Sequence, residues 1–155
     1  MLLLLIAHGT VASFSLGVTG DVNLNPKVRG ASPSYVWGDT LPITRSVDLM
    51  AIQHEGTLAG VNDSDPATIQ FEDPLNYSAT YAAAGIDFIT IANNHQFDFG
   101  WHGAARTQEA LAKTGIAFGG LGRTAEDVRR PVVVPTRPGR NTVPVAFFTL
   151  VVDEC

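Results

Sequence analysis

The fold of this chain is decided by residues 78–95, SATYAAAGIDFITIANNH. The alanine-rich segment 78–84 predicts a helix, and Gly85 directly after it is a typical helix stop. The apolar run 88–92 then predicts a buried strand, and three polar residues follow it at once, Asn93, Asn94 and His95. Because parallel sheets are built from helices that lead into buried strands, this stretch indicates an α/β fold.

The same alternation extends in both directions from this stretch. Two earlier apolar runs, 14–19 and 47–52, predict buried strands that end at Gly20-Asp21 and at Gln53-His54-Glu55. Downstream the pattern predicts a helix, a short strand and a closing hairpin, at residues 103–114, at 116–118, and at 132–134 with 143–152 around a turn at 138–141. The Pro- and Gly-rich stretch 23–44 predicts a long loop. We therefore expect an α/β fold with a largely parallel or mixed central sheet flanked by helices.

The charge balance and the cysteine count exclude several function classes. Ten Lys and Arg residues stand against 15 Asp and Glu, which gives a net charge of −5. An acidic chain is a poor general binder of nucleic acid or of anionic membranes, so we expect no nucleic-acid partner. The single cysteine, Cys155, cannot form an internal disulfide or a zinc–thiolate module.

Both ends of the sequence carry apolar runs. Residues 1–13 are interpreted as a leader, either a weak signal-like segment or a solvated or packed one, and the localisation stays open. The run 143–152 predicts an apolar core strand close to the last residue, where covering elements would normally follow. We therefore expect 14–155 to be a truncated domain.

The polar residues after the predicted strands form the candidate site. Since the carboxyl ends of parallel strands lie at one edge of a sheet, Asp21, Glu55 and the Asn94–His95 pair are expected to converge there. A cation is the simplest common partner for such groups. Oxygen donors with some imidazole suit Mg, Mn, Fe or Zn.

Several blocks of this sequence resemble the CapA-type capsule and poly-γ-glutamate synthesis family, whose domain is similar to the calcineurin-like metallophosphatases. The resemblance covers about residues 14–152, and its most specific block is 92–100. It implies half of a metallophosphatase-like α-β-β-α sandwich. The matching segments are 20–24, 36–39, 47–49, 55–58, 84–89, 92–100, 115–116 and 120–122.

The resemblance also implies roles for individual residues. Asp21, Glu55 and Asn94 would be metal ligands, and His95 would orient the substrate or protonate the leaving group. Asp98 would hold His95 through one ring nitrogen. One or two divalent ions would activate a water and clamp phosphoryl oxygens. The substrate would be an anionic or phosphorylated molecule or a polymer precursor, and the family is often associated with the cell envelope.

Three further residues are possible additional ligands, Asn23, Gln53 and His54. The family usually has Asn-Leu-Glu where this chain has Gln53-His54-Glu55, and His54 is interpreted either as a core histidine or as a variant ligand. Relatives carry further histidine ligands in a second half that has no counterpart here. Two hypotheses follow: a metallophosphatase-like hydrolase, or a catalytically silent piece that binds a complementary half or a second copy through the C-terminal strand.

Overall fold

A computed structural model describes residues 14–23, 32–58, 78–137 and 142–151. These residues form strands and helices that alternate through most of the chain, as the α/β prediction requires. The strands are β1 (Leu16–Val22), β2 (Leu49–His54), β3 (Phe88–Thr90), β4 (Ala117–Gly119), β5 (Val132–Pro135) and β6 (Pro144–Phe147). The helices are α1 (Pro33–Trp37), α2 (Leu41–Ser46), α3 (Ser78–Ala83), α4 (Gly100–Ala112) and α5 (Ala125–Arg129), with a 3₁₀ turn at Gly38–Thr40.

The first four strands form one parallel sheet in the order β1-β2-β3-β4. Ala51 of β2 lies between Val18 of β1 and Phe88 of β3, and Phe88 pairs in turn with Ala117 of β4. All four carboxyl ends therefore lie at the same edge. The predicted α/β fold with a parallel sheet is confirmed.

Alternation along the strands sends side chains to two separate cores. Met50, Ile52 and Ile89 point to one face, which we call the helix side, where they pack with Tyr81 of α3 and Leu111 of α4. Each of the five is at most 5% exposed. Because both faces of the sheet are covered, the first four residues of β2, Leu49–Ile52, are all apolar and buried, as expected of a parallel strand.

The opposite face, the hairpin side, is covered by the antiparallel pair β5 and β6. Leu49, Ala51 and Phe88 of the sheet pack there against Val145 and Phe147 of β6. The rings of Phe88 and Phe147 stack with their centroids 4.0 Å apart and their planes 10° from parallel. This layering of helices, parallel sheet and second sheet is consistent with half of a metallophosphatase-like sandwich.

The edge of the sheet opposite the candidate site is fastened by Arg137, just after β5. Its guanidinium donates to both carboxylate oxygens of Asp87, from Nε at 3.1 Å and from Nη2 at 2.8 Å. Further donors reach the backbone carbonyls of Arg45 and Val47, each at 3.0 Å, and that of Gly85. Asp87 Oδ2 also accepts from Met50 N at 2.7 Å. One arginine thus ties the hairpin to the amino-terminal ends of β2 and β3.

Two local predictions were wrong. Residues 33–44, expected within a long loop at 23–44, form α1, the 3₁₀ turn and most of α2. The run 143–152, expected to form one buried strand, pairs only over Pro144–Phe147, because Phe147 lies opposite Val132, the first residue of its antiparallel partner β5. Phe148, Leu150 and Val151 beyond it are exposed.

Some expectations fall on other parts of the chain. The predicted leader at 1–13 and the hairpin turn at 138–141 lie outside the described residues. Within the described ranges, no helix combines the length and the apolar character that crossing a membrane requires.

Candidate functional site

The candidate site lies at the carboxyl edge of the parallel sheet. Asp21 pairs in register with Gln53 of β2, and Gln53 pairs with Thr90 of β3. Since register partners in neighbouring parallel strands point to the same face, these three side chains form a polar row. Val22, next to Asp21, packs into the helix-side core, which places Asp21 and the row on the hairpin side.

The polar row borders an apolar cavity. Gln53 and Thr90 line it together with Gly20, Phe88 and Phe147, and its volume is about 210 Å³. Asp21 is exposed at the rim of the sheet, although it lies within β1 and not after it as predicted. A bulge between Val18 and Asp21 makes this possible, because it shifts the register before the strand ends.

The backbone around Glu55 is held by the end of β1 and by helix α4. Glu55 N donates to Val22 O at 2.9 Å, and the Asn23 side chain donates to Glu55 O at 3.3 Å. Three residues later, Leu58 N donates to the hydroxyl of Thr107 on α4 at 2.9 Å. The Glu55 carboxylate is therefore carried on a loop with a fixed path, the preorganisation that a binding site needs. Asn23 contributes here by holding the backbone.

Asn93 is a structural residue of the site that sequence reasoning did not single out. Its side-chain NH₂ donates to His54 O at 2.8 Å and to Ile91 O at 3.3 Å. Its carbonyl oxygen accepts from His95 N at 2.9 Å and from Gly56 N at 3.4 Å. The buried amide of Asn93 thus joins the end of β2 to the turn after β3.

The sequence contained an indication that the Asn93 side chain is buried. Ile89 and Ile91 are fully buried on the helix side, and continuing their alternation by two residues places Asn93 inside. The next residue, Asn94, then points outward and is exposed. The exposed amide is the one available to a ligand, and Asn94 is the residue that the resemblance assigned as a metal ligand.

His95 and Asp98 form a hydrogen-bonded pair in the turn between β3 and α4. His95 Nδ1 lies 2.9 Å from Asp98 Oδ2, and the two side chains are 19% and 12% exposed. The expected hydrogen bond is therefore present. A carboxylate on Nδ1 fixes the orientation of the imidazole, so Nε2 is the atom that a substrate would meet.

His54 belongs to the core. It is fully buried on the helix side, and its Nδ1 lies 2.7 Å from the hydroxyl of Tyr81. Burial lowers the pKa of His54 to about 4, against the opposing effect of a hydrogen bond with the Val22 backbone. The core interpretation is confirmed, because His54 lies on the face of the sheet opposite the row of Asp21 and Gln53.

The donors at this edge match a hard divalent cation in type but not in number. Asp21, Glu55 and Asn94 offer carboxylate and amide oxygens, which suit Mg²⁺ or Mn²⁺. Yet the described parts of the chain contain no group of three or more His, Cys, Asp or Glu side chains able to hold a metal ion. In the same turn, the buried Gln96 amide has no hydrogen-bond partner among the described residues. The described residues thus offer donor types that suit a divalent cation, without a complete set of ligands.

Comparison with known proteins defines the class to which this fold and site belong. The family model described as bacterial capsule synthesis protein PGA_cap matches residues 15–152. The chain therefore belongs to this capsule synthesis family, which confirms the resemblance drawn from the strand-end residues.

Two relatives come from Mycobacterium tuberculosis, strains CDC 1551 and H37Rv, and each is named a probable polyglutamine synthesis accessory protein. Each is 28% identical to this chain over 133 residues. That match includes 81% of this chain but 35% of each relative, so the chain spans about a third of the length of these curated relatives.

Proposed function

We propose that this chain supplies one side of a divalent-metal, phosphoesterase-type site that serves capsule or poly-γ-glutamate synthesis. Asp21, Glu55 and Asn94 are the proposed ligands among the described residues. Gln53, which stands in the polar row beside Asp21, is a further oxygen donor within this proposal.

One observation carries the proposal: three adjacent parallel strands end at one edge with oxygen donors and a His–Asp pair. The backbone at this edge is held by Asn23, Asn93 and Thr107. Ordering the backbone in this way costs conformational entropy. A loop that only connected two elements would not need this order, whereas a binding site does.

The His95–Asp98 pair has a separate role in the proposal. The carboxylate of Asp98 keeps the imidazole in one orientation. His95 Nε2 would then donate a proton to the leaving oxygen of a phosphate ester, or hydrogen-bond to a phosphoryl oxygen. The bound metal would supply Lewis-acid activation of that phosphoryl group.

Metal binding is the direct test of this proposal. Calorimetric titration of the purified chain with Mn²⁺ is expected to give saturable binding that Asp21→Asn and Asn94→Ala each weaken by at least about tenfold, since each removes one of few donors. Removing the metal with EDTA should abolish any hydrolysis of bis-p-nitrophenyl phosphate. His95→Gln should leave Mn²⁺ binding unchanged while it lowers hydrolysis.

Asp127→Asn is a matched control, because this exposed carboxylate lies on α5 and caps that helix. It should bind Mn²⁺ as the unmodified chain does. Absence of saturable binding in the folded, unmodified chain, or equal weakening by Asp127→Asn, would refute the proposed ligand set.

A second candidate is a catalytically silent binding module, favoured by exposed apolar residues in β5 and after β6. Leu150 is 76% exposed, Val133 59% and Val151 50%. This candidate predicts self-association that Leu150→Ser and Val151→Ser reduce, measured by sedimentation velocity over a hundredfold concentration range. A monomer at the highest concentration would argue against it.

A further inference from the structure

The hairpin side of the sheet carries an apolar cavity that the proposed metal ligands do not fill. It is the cavity of about 210 Å³ that borders the polar row, and the stacked rings of Phe88 and Phe147 both line it. Gly20 has no side chain and Ala51 has a single methyl group, so the space beside the stacked rings stays open. Val18, which also lines the cavity, is 49% exposed, so a ligand can enter from solvent.

The size and the lining of this cavity suit one small aromatic ring. An apolar cavity of about 150 Å³ is enough to bind benzene, so about 210 Å³ leaves room for a ring and a short substituent. Aromatic rings favour offset-stacked or edge-to-face contacts with one another, and Phe88 and Phe147 supply such partners. A rigid ring also loses little conformational entropy when it binds.

The polar row gives the cavity a wall that can hydrogen-bond. The side-chain amide of Gln53 forms no hydrogen bond with the residues that the structure describes, so its NH₂ and its carbonyl oxygen are both available. The Thr90 hydroxyl accepts from Ala92 N at 3.3 Å and can still donate. An apolar cavity with a few placed polar groups is typical of small-molecule sites, and this one matches a ring that carries a hydrogen-bonding substituent.

We propose that this cavity binds an aromatic ring of the substrate that reacts at the neighbouring site. Gln53 pairs in register with Asp21, a proposed metal ligand, so a ring in the cavity lies beside the residue that would hold the metal. The substrate class is then a phosphate ester of a small aromatic compound. This assignment rests on the proposed function, because the metal site defines the substrate, whereas binding of the ring itself requires no metal.

An NMR titration of the full chain with benzamide in EDTA tests ring binding apart from metal binding and hydrolysis. Benzamide supplies a ring and an amide that can pair with Gln53, whereas acetamide has the amide alone and cyclohexanecarboxamide has a saturated ring. Benzamide should bind at least about tenfold more tightly than acetamide, because its ring leaves water for an apolar cavity. It should also bind more tightly than cyclohexanecarboxamide, which cannot stack on Phe88 or Phe147. Equal binding of benzamide and either comparator would overturn the inference.

Two substitutions alter the cavity without removing a buried side chain. Val18→Ser replaces an exposed apolar residue of the lining and should weaken benzamide binding about three- to fivefold. Gly20→Leu should weaken it further by narrowing the cavity, and a Cβ at Gly20 would meet no atom within 4 Å. Val133→Ser is the matched control, because Val133 is an exposed valine of β5 that does not line this cavity. An equal loss in Val133→Ser and Val18→Ser would contradict the assignment of the ring to this cavity.

Phenylphosphonate and methylphosphonate link the cavity to the metal site. With Mn²⁺ present, phenylphosphonate should bind more tightly than methylphosphonate, and Val18→Ser should remove most of that difference. Saturable Mn²⁺ binding without benzamide binding would overturn this inference and leave the proposed function standing. Benzamide binding without Mn²⁺ binding would refute the proposed metal site, and with it the assignment of the ring to a phosphate ester.

Discussion

The buried His54 makes the stability of this fold depend on pH in a defined direction. Burial lowers the pKa of His54 to about 4 in the folded chain, from an ordinary value of 6.5. Between these two values the unfolded chain takes up a proton that the folded chain does not. Stability is therefore complete above pH 6.5 and decreases as the pH falls towards 4.

The size of this loss follows from the two pKa values. Each pH unit below 6.5 costs about 1.4 kcal/mol while the folded state stays unprotonated, which gives about 2 kcal/mol by pH 5. Asp48 and Asp127 have pKa values lowered by hydrogen bonds from Ser15 and Thr124. Their contributions are lost only below the ordinary value of 3.8, so they contribute little to the change between pH 7 and pH 5.

Urea unfolding at pH 7 and pH 5 measures the effect. The unmodified chain should lose about 2 kcal/mol more than His54→Asn over this interval, because the amide cannot titrate but can still hydrogen-bond to Tyr81. His102→Asn, at an exposed histidine, should behave like the unmodified chain. An equal loss in His54→Asn and the unmodified chain would refute the reasoning, as would an NMR titration of His54 in the folded chain near pH 6.5.

Three further substitutions test the contacts that hold the site and the sheet, each by urea unfolding. Asn93→Ala should lower the free energy of unfolding by about 3 kcal/mol, because it removes four hydrogen bonds, whereas Asn94→Ala should lower it by less than about 0.5 kcal/mol. Equal losses would contradict the assignment of Asn93 as the structural residue. Arg137→Lys should lower the free energy of unfolding by about 2–3 kcal/mol, since an ammonium cannot replace the forked contacts to Asp87 and three carbonyls. Arg130→Lys, on the surface, should leave it nearly unchanged. Gly120→Ala should lower the free energy of unfolding by about 3 kcal/mol, because Gly120 has φ +107° and a Cβ there would lie 2.6 Å from Ala92 N. Gly20→Ala is the control, since a Cβ at Gly20 would meet no atom within 4 Å.

The order of helices and strands was predictable because it depends on local signals. Gly85 has φ +74°, a conformation that glycine adopts easily, and α3 ends two residues before it. The buried runs were long enough to be recognised as strands, but their ends moved by two to three residues. Asp21 and His54 were placed after strands and lie within them, because pairing with the neighbouring strand continues past the apolar run.

Prolines caused the largest error in the fold. Pro33 begins α1 and Pro42 lies in the first turn of α2, positions where the missing N–H costs nothing. Reading prolines as loop residues is correct only when a helix would have to continue through them. The sequence gives no direct sign of which case applies, since the choice depends on how Val36 and Leu41 pack against the helix-side core.

The candidate site shows the same division between local and tertiary information. The pairing of His95 with Asp98 lies within one turn, and the family resemblance implied it correctly. Which of Asn93 and Asn94 is exposed depends on the face of the sheet that each meets. Only the fold separates the buried Asn93 amide, which bonds the end of β2 and the turn after β3, from the exposed Asn94 amide. We therefore expect different effects from changing these two chemically identical residues. A change at Asn93 should alter stability, and a change at Asn94 should alter metal binding.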